Sequence, residues 1–562
     1  MADEFCLDKS MNPEPPVKFD VLKRELRTVI DSNNGAYSNE IIFDSALQSI
    51  ANSNQYIDWS QSTLVIPVCL EWQKFFGDTV SSQDTALFAN LKNHFAMTHS
   101  LRLQLSNQQI LGYDVPFRNL AMTFEAVSQM SAENEDMFMS LGISKEDPNA
   151  FVYTTGESPY GLGMCSTNVA VPFATTESIN AETQYFRNEK RLKKLHYYNK
   201  SALSGGRFNS LVSNSALATS QETHVAEFNS ATVSMFYICR IGLAQIAHIF
   251  KICPLVKNGL WSLSILTNQS EITVSTGGTD FDSPLTAGGY DNVTFDSYNV
   301  NYSNNNFVPF QVGSALFGGG IGRDMTGSTH PSSIAVSCKI VSPKWATAVC
   351  PIPNCRLQLS MVTLSPDAER MYLANPKKSL VFNDLVYKHI QCNSDSYFDN
   401  LVYSNVSRLR KLVMMPYHIR TIGTTTPPND CLSVWSGYGA SFLSSPLARL
   451  SEFQVLVSGQ AMYPRPLNTI EEFYEQFRQT CLVNGGAYGE TTNSLISMQD
   501  WGLQYGAYVV DLSRHSASVD NLVQTISLQF KNNTKYHMGF HCFLYFEKSL
   551  WVNAETGQIE AN

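Results

Sequence analysis

The sequence predicts an all-β protein built from two related antiparallel sandwich domains in tandem. Short alternating runs of Val, Ile, Phe and Tyr dominate the chain from Tyr56 onward, and each half contains one strong helical pattern. A stretch of the first half also recurs in the second. Strands at this density, with so few helices, are typical of an antiparallel sandwich rather than of strands and helices alternating around a parallel sheet.

The recurrence is clearest at a strand followed by a polar turn. Residues 100–111 (SLRLQLSNQQIL) and 452–463 (EFQVLVSGQAMY) align without gaps and place Ser106 on Ser458, 352 residues further on. The flanking segments recur in the same order, a strand upstream and a helical pattern downstream: 63–67 and 412–416, then 119–130 and 468–481. So long a period predicts two related domains rather than a repeat array. Since the identities are few, chance resemblance between two β-rich stretches is the alternative.

Residues 1–55 are predicted to form an N-terminal arm. Within the arm, VLKRELRTVI (21–30) has its apolar residues on one helical face, which predicts a helix. That helix is expected to pack either on a neighbouring subunit or on its own domain. The N-terminal residues are acidic where a signal peptide has a basic start and an apolar core, so secretion is not predicted.

The rest of the chain divides near LANPKK, 373–378. Residues 56–374 are predicted to form the first domain, and residues 375–562 the second domain with a C-terminal tail. The first domain carries two long insertions, at about 132–235 and 275–334. Loops of this length are usually functional or disordered. Because both leave the same half, we expect them to form one ordered, exposed projection.

Composition limits the function. The 562 residues are 43% hydrophobic and only 16% charged, which gives enough apolar surface for sizeable cores. A net charge of -10 argues against a main role in neutralising nucleic acid, because phosphate binding depends on Lys and Arg. The most apolar long segment, 236–256, contains Arg240, His248 and Lys251, so it is predicted to be a core strand and helix rather than a membrane span.

Three phrases in the second part of the chain resemble a known family: SPDAERMYLANP (365–376), SLVFNDLVYKH (379–389) and VLVSGQAMYP (455–464), the last leading into a helix. They are similar to the major capsid proteins of polinton-like viruses and virophages, within the double jelly-roll lineage that includes adenovirus hexon and giant-virus capsid proteins. The resemblance spans roughly residues 57–545.

The resemblance implies two tandem eight-stranded antiparallel jelly rolls with short helices and long loops. It also implies a homotrimer that forms a pseudo-hexagonal capsomer and tiles an icosahedral virion capsid around double-stranded DNA, assembled inside the host cell. The implied partners are neighbouring capsomers, penton proteins and minor or cement capsid proteins, and an internal membrane is left open as another. Neither a cofactor nor sequence-specific nucleic-acid binding is implied.

A basic cluster within the first insertion is a candidate interaction site. It consists of Arg187, Lys190, Arg191, Lys193 and Lys194, next to two tyrosines in an otherwise acidic chain. Such a cluster is compatible with contact to RNA, a glycan or a membrane surface. The favoured interpretation is pairing with an acidic neighbour in the same or an adjacent subunit.

An acidic loop in the second insertion is a candidate calcium site. Asp280, Asp282, Asp291 and Asp296 lie among glycine-rich turns, and their oxygens are suitable Ca²⁺ ligands. Their spacing does not match an EF-hand, so a solvated loop is the favoured interpretation.

No enzymatic motif is found. The sequence contains no HExxH, GxSxG or Walker lysine, and no histidines cluster with carboxylates at the spacing of metal ligands. Two classes of function remain: a structural shell protein, and a jelly-roll glycan-binding module or attachment protein. The duplication and the absence of a signal peptide favour the shell protein.

Overall fold

A computed structural model describes the parts of the chain on which the fold is defined: residues 20–33, 35–44, 55–76, 85–106, 108–130, 135–143, 232–257, 259–275, 308–316, 331–341, 354–419, 450–483, 496–498, 501, 506–513, 522–533 and 537–561.

The first half contains thirteen described strands: β1 (Val21–Ile30), β2 (Glu40–Asp44), β3 (Tyr56–Phe76), β4 (Thr85–Leu91), β5 (Thr98–Leu105), β6 (Gln108–Leu111), β7 (Thr232–Gly242), β8 (Val256–Lys257), β9 (Trp261–Thr267), β10 (Ser270–Ser275), β11 (Phe310–Leu316), β12 (Pro331–Ile340) and β13 (Arg356–Leu364). Its described helices are α1 (Arg118–Ser128), α2 (Glu135–Met139), α3 (Leu243–Ile246), α4 (His248–Ile252) and α5 (Pro366–Leu373).

The second half contains nine described strands: β14 (Lys377–Cys392), β15 (Tyr397–Val406), β16 (Leu409–Ile419), β17 (Leu450–Val457), β18 (Gln460–Ala461), β19 (Tyr508–Asp511), β20 (Gln524–Asn532), β21 (His537–Asn553) and β22 (Ile559–Ala561). Its long helix is α6 (Ile470–Val483).

The second half is a jelly roll. Eight consecutive strands, β14 to β21, divide into two four-stranded antiparallel layers with the orders β14-β21-β16-β19 and β15-β20-β17-β18. Within each layer, neighbouring strands come alternately from the early part and the late part of the segment β14 to β21. This order is the winding of a jelly roll. The short β22 is added to β21.

The first half repeats this winding. One layer is a seven-stranded sheet that contains the order β1-β13-β3-β7 and also includes β8, β10 and β12, and four strands form the other layer in the order β2-β9-β5-β6. In both halves a helix, α1 or α6, follows the last short hairpin of the second layer. The prediction of two tandem eight-stranded jelly rolls is confirmed.

The hairpin that first indicated the repeat has the same conformation in both halves. Ser106 and Ser458 both adopt a left-handed backbone, with φ of 47° and 49°. The N–H of Ser106 donates to the carbonyl oxygen of Leu260 at 2.7 Å, and the N–H of Ser458 donates to that of Thr525 at 2.8 Å. These two carbonyl groups occupy equivalent positions in the two halves. A two-residue hairpin needs positive φ at its first position, so the alignment reflects the same turn geometry.

The helix predicted for Val21–Ile30 is wrong, because this segment is β1 and pairs antiparallel with β13 along its length. Glu40–Asp44 likewise forms β2 and pairs with β9. Part of the predicted 1–55 arm therefore supplies one strand to each layer of the first jelly roll. The apolar residues of β1 recur at a spacing of four, which fits a helical face. The open edge of β13 supplies a hydrogen-bonding partner that makes the strand more stable than the helix.

Other elements follow the predictions. The helices expected at 119–130 and 468–481 are α1 and α6. The segment 236–256 forms the end of β7 followed by α3 and α4. The domain boundary at 374 stays a prediction; residue 374 lies between α5 and β14.

Each jelly roll has its own apolar interior between its two layers. Fully buried aliphatic side chains from both layers of the two halves are Leu64, Leu103, Leu263 and Leu357 in the first, and Leu412, Val455, Leu528 and Leu544 in the second. At about 25 cal/mol per Å² of buried apolar surface, such interiors supply the main free energy of folding.

Candidate assembly surfaces

An aromatic seam joins the two jelly rolls. Phe117, just before α1 in the first half, has its ring centroid 5.7 Å from that of Tyr387 and 5.4 Å from that of His541 in the second half. On the other side its ring meets His99 of its own half at 5.0 Å. Tyr387 and His541 lie on the paired strands β14 and β21, so the start of α1 packs on the outer face of this layer.

Charged groups meet across the same seam. Lys411 of β16 forms an ion pair with Glu125 of α1 at 2.5 Å, and its ammonium group lies 4.4 Å from the ring centroid of Tyr545. The side chain of Lys411 is only 9% exposed. A cation held between a carboxylate and an aromatic face fixes the position of α1 on β16.

A buried arginine forms a second charged contact. Arg118 is 4% exposed, and its guanidinium group lies 3.9 Å from the carboxylate of Asp384 on β14. Lys548 of β21 binds the same carboxylate at 3.1 Å and also donates to the carbonyl of Ile110 at 3.4 Å. Burial lowers the pKa of Arg118, while the negative charge of Asp384 opposes this shift. The seam therefore depends on a paired internal charge.

His541 is held neutral within the seam. Burial, with a smaller contribution from nearby His389, lowers the pKa of His541 to about 3. The hydroxyl of Tyr387 lies 2.9 Å from its Nδ1 atom. Burial penalises the charged form of an imidazole, so this ring stays uncharged near neutral pH.

The C-terminal segment of the chain also contacts the first jelly roll. The N–H of Lys257 donates to the carbonyl of Ala554 at 2.8 Å, and the hydroxyl of Ser106 donates to the carbonyl of Gly557 at 2.7 Å. Gly557 has a φ of 68°, and a Cβ atom there would lie 2.5 Å from the Cα of Gly259. Glycine is needed at Gly557 both for the left-handed backbone and for this close approach.

Apolar side chains remain exposed on β1, an edge strand of the first jelly roll. Leu22, Leu26 and Ile30 are 61%, 68% and 47% exposed. Leu26 and Ile30 lie on one face of the strand, because side chains two apart point the same way, and Leu22 lies at the register shift between Val21 and Lys23. A row of large apolar side chains on an exposed sheet edge is typical of an interaction surface.

The predicted insertions leave from one end of the first jelly roll. The ends of β3 and β10 lie next to the start of β12, in the pairs Phe76 with Pro331 and Ser275 with Ser333. The start of β7, Thr232, pairs with Gln73 close by. The C-terminal end of the first insertion and both ends of the second therefore lie at the same end of this sheet. Within the second one, β11 pairs with β4 and the start of β12 pairs with β3, so these parts are strands.

The predicted site residues lie outside the described residues. This applies to the basic cluster (Arg187, Lys190, Arg191, Lys193, Lys194) and to the calcium candidates (Asp280, Asp282, Asp291, Asp296). Within the described part of the chain, no group of three or more His, Cys, Asp or Glu is placed to hold a metal ion. None of the helices described there is long and apolar enough to cross a membrane.

The seam residues were not predicted from the sequence. One signal was visible, since Asp384 is an acidic residue within a predicted strand, SLVFNDLVYKH. Its partner Arg118 is 266 positions earlier in the chain, at the start of a helix that looks amphipathic. Nothing local to either residue indicates that they meet.

Comparison with known proteins finds similarity among solved structures. The mavirus major capsid protein matches at 9% identity and a TM-score of 0.45, covering 98% of this chain and 91% of that one. A chain of the Sputnik virophage matches at 11% identity and a TM-score of 0.45, with the same coverage of 98% and 91%. No protein-family model and no curated protein sequence matches the chain. By its own strand order the chain is a double jelly roll.

Proposed function

We propose that this protein is a viral major capsid protein that assembles as a pseudo-hexagonal homotrimer, and that these trimers tile an icosahedral shell around double-stranded DNA. The observation that carries the proposal is the tandem repetition of one jelly roll with a buried, ion-paired seam between the copies. The seam makes the two jelly rolls one rigid building block.

Symmetry explains why such a block suits a shell. The contact between the halves is heterologous, since α1 of the first half packs on the β14-β21-β16 layer of the second. A heterologous contact that repeats with a closing rotation forms a ring. Three copies of a two-domain block then present six similar edges, which match the neighbours of a hexagonal lattice.

The proposed role is interface formation rather than catalysis. Neighbouring capsomers, penton proteins and minor or cement proteins are the proposed partners, and the virion is the proposed location. The two insertions of the first half are proposed to face the outer surface of the shell. Loops carried by a rigid scaffold tolerate changes in length and often carry recognition.

The mass of the purified protein in solution tests this proposal. The chain has a mass of 62.6 kDa, so the expected particle is three times as heavy, about 188 kDa. Light scattering coupled to size-exclusion chromatography measures the mass without assuming a shape. A monomer that persists at high protein concentration would contradict the capsomer, and a glycan-binding module would then be the better candidate.

A further inference from the structure

We infer that the seam between the two jelly rolls is an acid-sensitive switch, in which protonation of histidines from both halves separates the jelly rolls while each keeps its own fold. The inference goes beyond the proposed function, because it concerns a contact within one chain and holds for any number of copies in the particle. It is drawn from where the histidines lie. The structure describes the side chains of five, and all of these except His94 are at the seam.

One hydrogen bond across the seam requires a neutral imidazole. His248 of α4, in the first half, accepts at its Nδ1 atom from the backbone N–H of Asn383 on β14, at 3.1 Å. Strand β14 is at the edge of its layer, so this N–H is used by the first half and not by the neighbouring strand β21. Both ring nitrogens of a protonated histidine are donors, so a protonated His248 cannot accept this bond. Acid therefore removes a bond that joins the two halves.

Two histidines of the second half face each other where Phe117 of the first half docks. His389 and His541 are directly opposite in the register of β14 and β21, and their ring centroids are 5.5 Å apart. His541 is 2% exposed and meets one side of the Phe117 ring, while His99 of the first half meets the other side. Positive charges on neighbouring imidazoles repel each other, and burial penalises each of them. Protonation is therefore favoured only when the first half moves away and water reaches the rings.

The groups around these histidines do not compensate an added positive charge. His541 meets the hydroxyl of Tyr387 and the ring of His389 on β14, and the residues next to it from α1 and β16, Phe117 and Met415, do not titrate. His248 is near Lys251 of its own helix, Lys411 of β16 and Glu125 of α1, so two cations act on it against one carboxylate. Other charged groups that the structure describes along the seam and its edge are Arg118, Asp384, Lys548, Glu547, Arg408 and Arg410. Cations exceed carboxylates in this set too.

Burial gives the direction of the switch. It lowers the pKa of His99 to about 4 and that of His541 to about 3, and it also lowers the pKa of His248 and of His389. An exposed histidine has a pKa of about 6.5. Separation of the halves therefore takes up protons below about pH 6.5, and its equilibrium constant rises by about tenfold per pH unit for each buried ring that becomes exposed. The closed seam is favoured above this range and is lost as the pH falls through it.

Hydrogen exchange of the Asn383 amide tests the inference, because the bond that protects this amide crosses the seam. Exchange is read by mass spectrometry at pH 7 and at about pH 4.5, with each rate corrected for the intrinsic pH dependence of amide exchange. The protection of the Asn383 amide should fall by about tenfold or more at the lower pH. Amides of β17 and β20, in the layer of the second half away from the seam, should keep their protection. Protection of Asn383 retained at the lower pH, or an equal loss in β20, would overturn the inference.

Variants that each lack one titrating ring identify the sensor. His248→Asn keeps a neutral acceptor close to the place of Nδ1, and His541→Gln removes the buried imidazole. In each variant the Asn383 amide should stay protected to a lower pH than in the unmodified protein. His94→Asn is the matched control, because burial also lowers the pKa of His94 to about 4 and its Nδ1 also accepts a backbone N–H, but from Arg240 of its own half at 3.3 Å. This control should leave the pH of seam opening unchanged.

The outcomes of the variants decide between the seam and general acid unfolding. The inference is wrong if both seam variants open at the same pH as the unmodified protein, or if His94→Asn moves the transition as far as they do. Circular dichroism at pH 7 reports whether each variant is folded. If His541→Gln does not fold, His248→Asn decides alone, because its half-buried side chain is replaced by one that can accept the same bond.

Discussion

Removing the carboxylate of Asp384 should weaken the seam far more than removing the arginine it pairs with. In Asp384→Asn, the buried guanidinium of Arg118 loses the carboxylate that lies 3.9 Å away, and Asp114 becomes its nearest remaining source of negative charge. In Arg118→Met, Asp384 keeps the ammonium of Lys548 at 3.1 Å. The two single variants are therefore not equivalent, although they break the same pair.

The size of the effect follows from the geometry. Two unit charges 3.9 Å apart attract by about 4 kcal/mol at an effective dielectric constant of ~20. Removing one member of a buried pair typically costs about 3–5 kcal/mol, because the other charge is left without compensation. We expect Asp384→Asn to lower the free energy of unfolding by roughly 3 kcal/mol, and Arg118→Met to lower it by about 1 kcal/mol or less, since Lys548 still neutralises the carboxylate.

The double variant distinguishes this explanation from a simple loss of packing. With both Asp384→Asn and Arg118→Met, no charge remains buried and unpaired, so most of the loss in stability should be recovered. Calorimetric unfolding of the unmodified protein, the two single variants and the double variant at one concentration measures the order of their stabilities. If the double variant is as unstable as the sum of the two single variants, the pair is not coupled and the reasoning is refuted.

Two further predictions concern acid and the C-terminal turn. Burial lowers the pKa of His94 to about 4 and that of His541 to about 3. The unfolded chain binds protons at these rings below about pH 6.5 and the folded chain does not, so the free energy of unfolding should fall as the pH drops from 6.5 toward 4, by roughly 1.4 kcal/mol per pH unit for each ring. Urea unfolding across this range measures the slope; an unchanged slope in His541→Gln would contradict the assignment. Gly557→Ala should lower the melting temperature clearly more than Gly459→Ala, because both have positive φ but only the first would bring a Cβ within 2.5 Å of the Cα of Gly259. Equal melting temperatures would show that the close contact relaxes without cost.

The repeated hairpin was predictable because its conformation is encoded locally. Ser106 and Ser458 end alternating strands, and the turn that joins two adjacent strands needs positive φ whatever surrounds it. The helices α1 and α6 were predictable for a similar reason, since apolar residues recur in them at helical spacing. Periodicity and turn chemistry thus predicted the hairpin and the helices, while the jelly-roll winding of both halves was implied by the family resemblance.

Strand β1 was mispredicted because its pattern fits two structures. Leu22, Leu26 and Ile30 are four residues apart, which places them on one face of a helix and equally on one face of a strand. An ordinary edge strand would hide its apolar face in the core, but here that face is exposed. The choice between helix and strand depended on the open edge of β13, a partner more than 300 residues away that no local pattern reveals.

The seam was unpredictable for a related reason. Phe117 precedes a helix that contains Arg118 and Glu125 and whose residues are almost all buried, so the sequence does not show which of them face the other half. Their partners Asp384 and His541 lie on strands whose two faces are both covered, one by their own core and one by the first jelly roll. Contacts between folded units depend on docking, which sequence periodicity does not encode.

The central claim is that three copies of this double jelly roll close a three-fold ring. Electron microscopy of the purified particle with image averaging tests this most directly. We expect a three-fold particle with six similar lobes. A single two-lobed molecule, or a two-fold particle, would contradict the proposed capsomer.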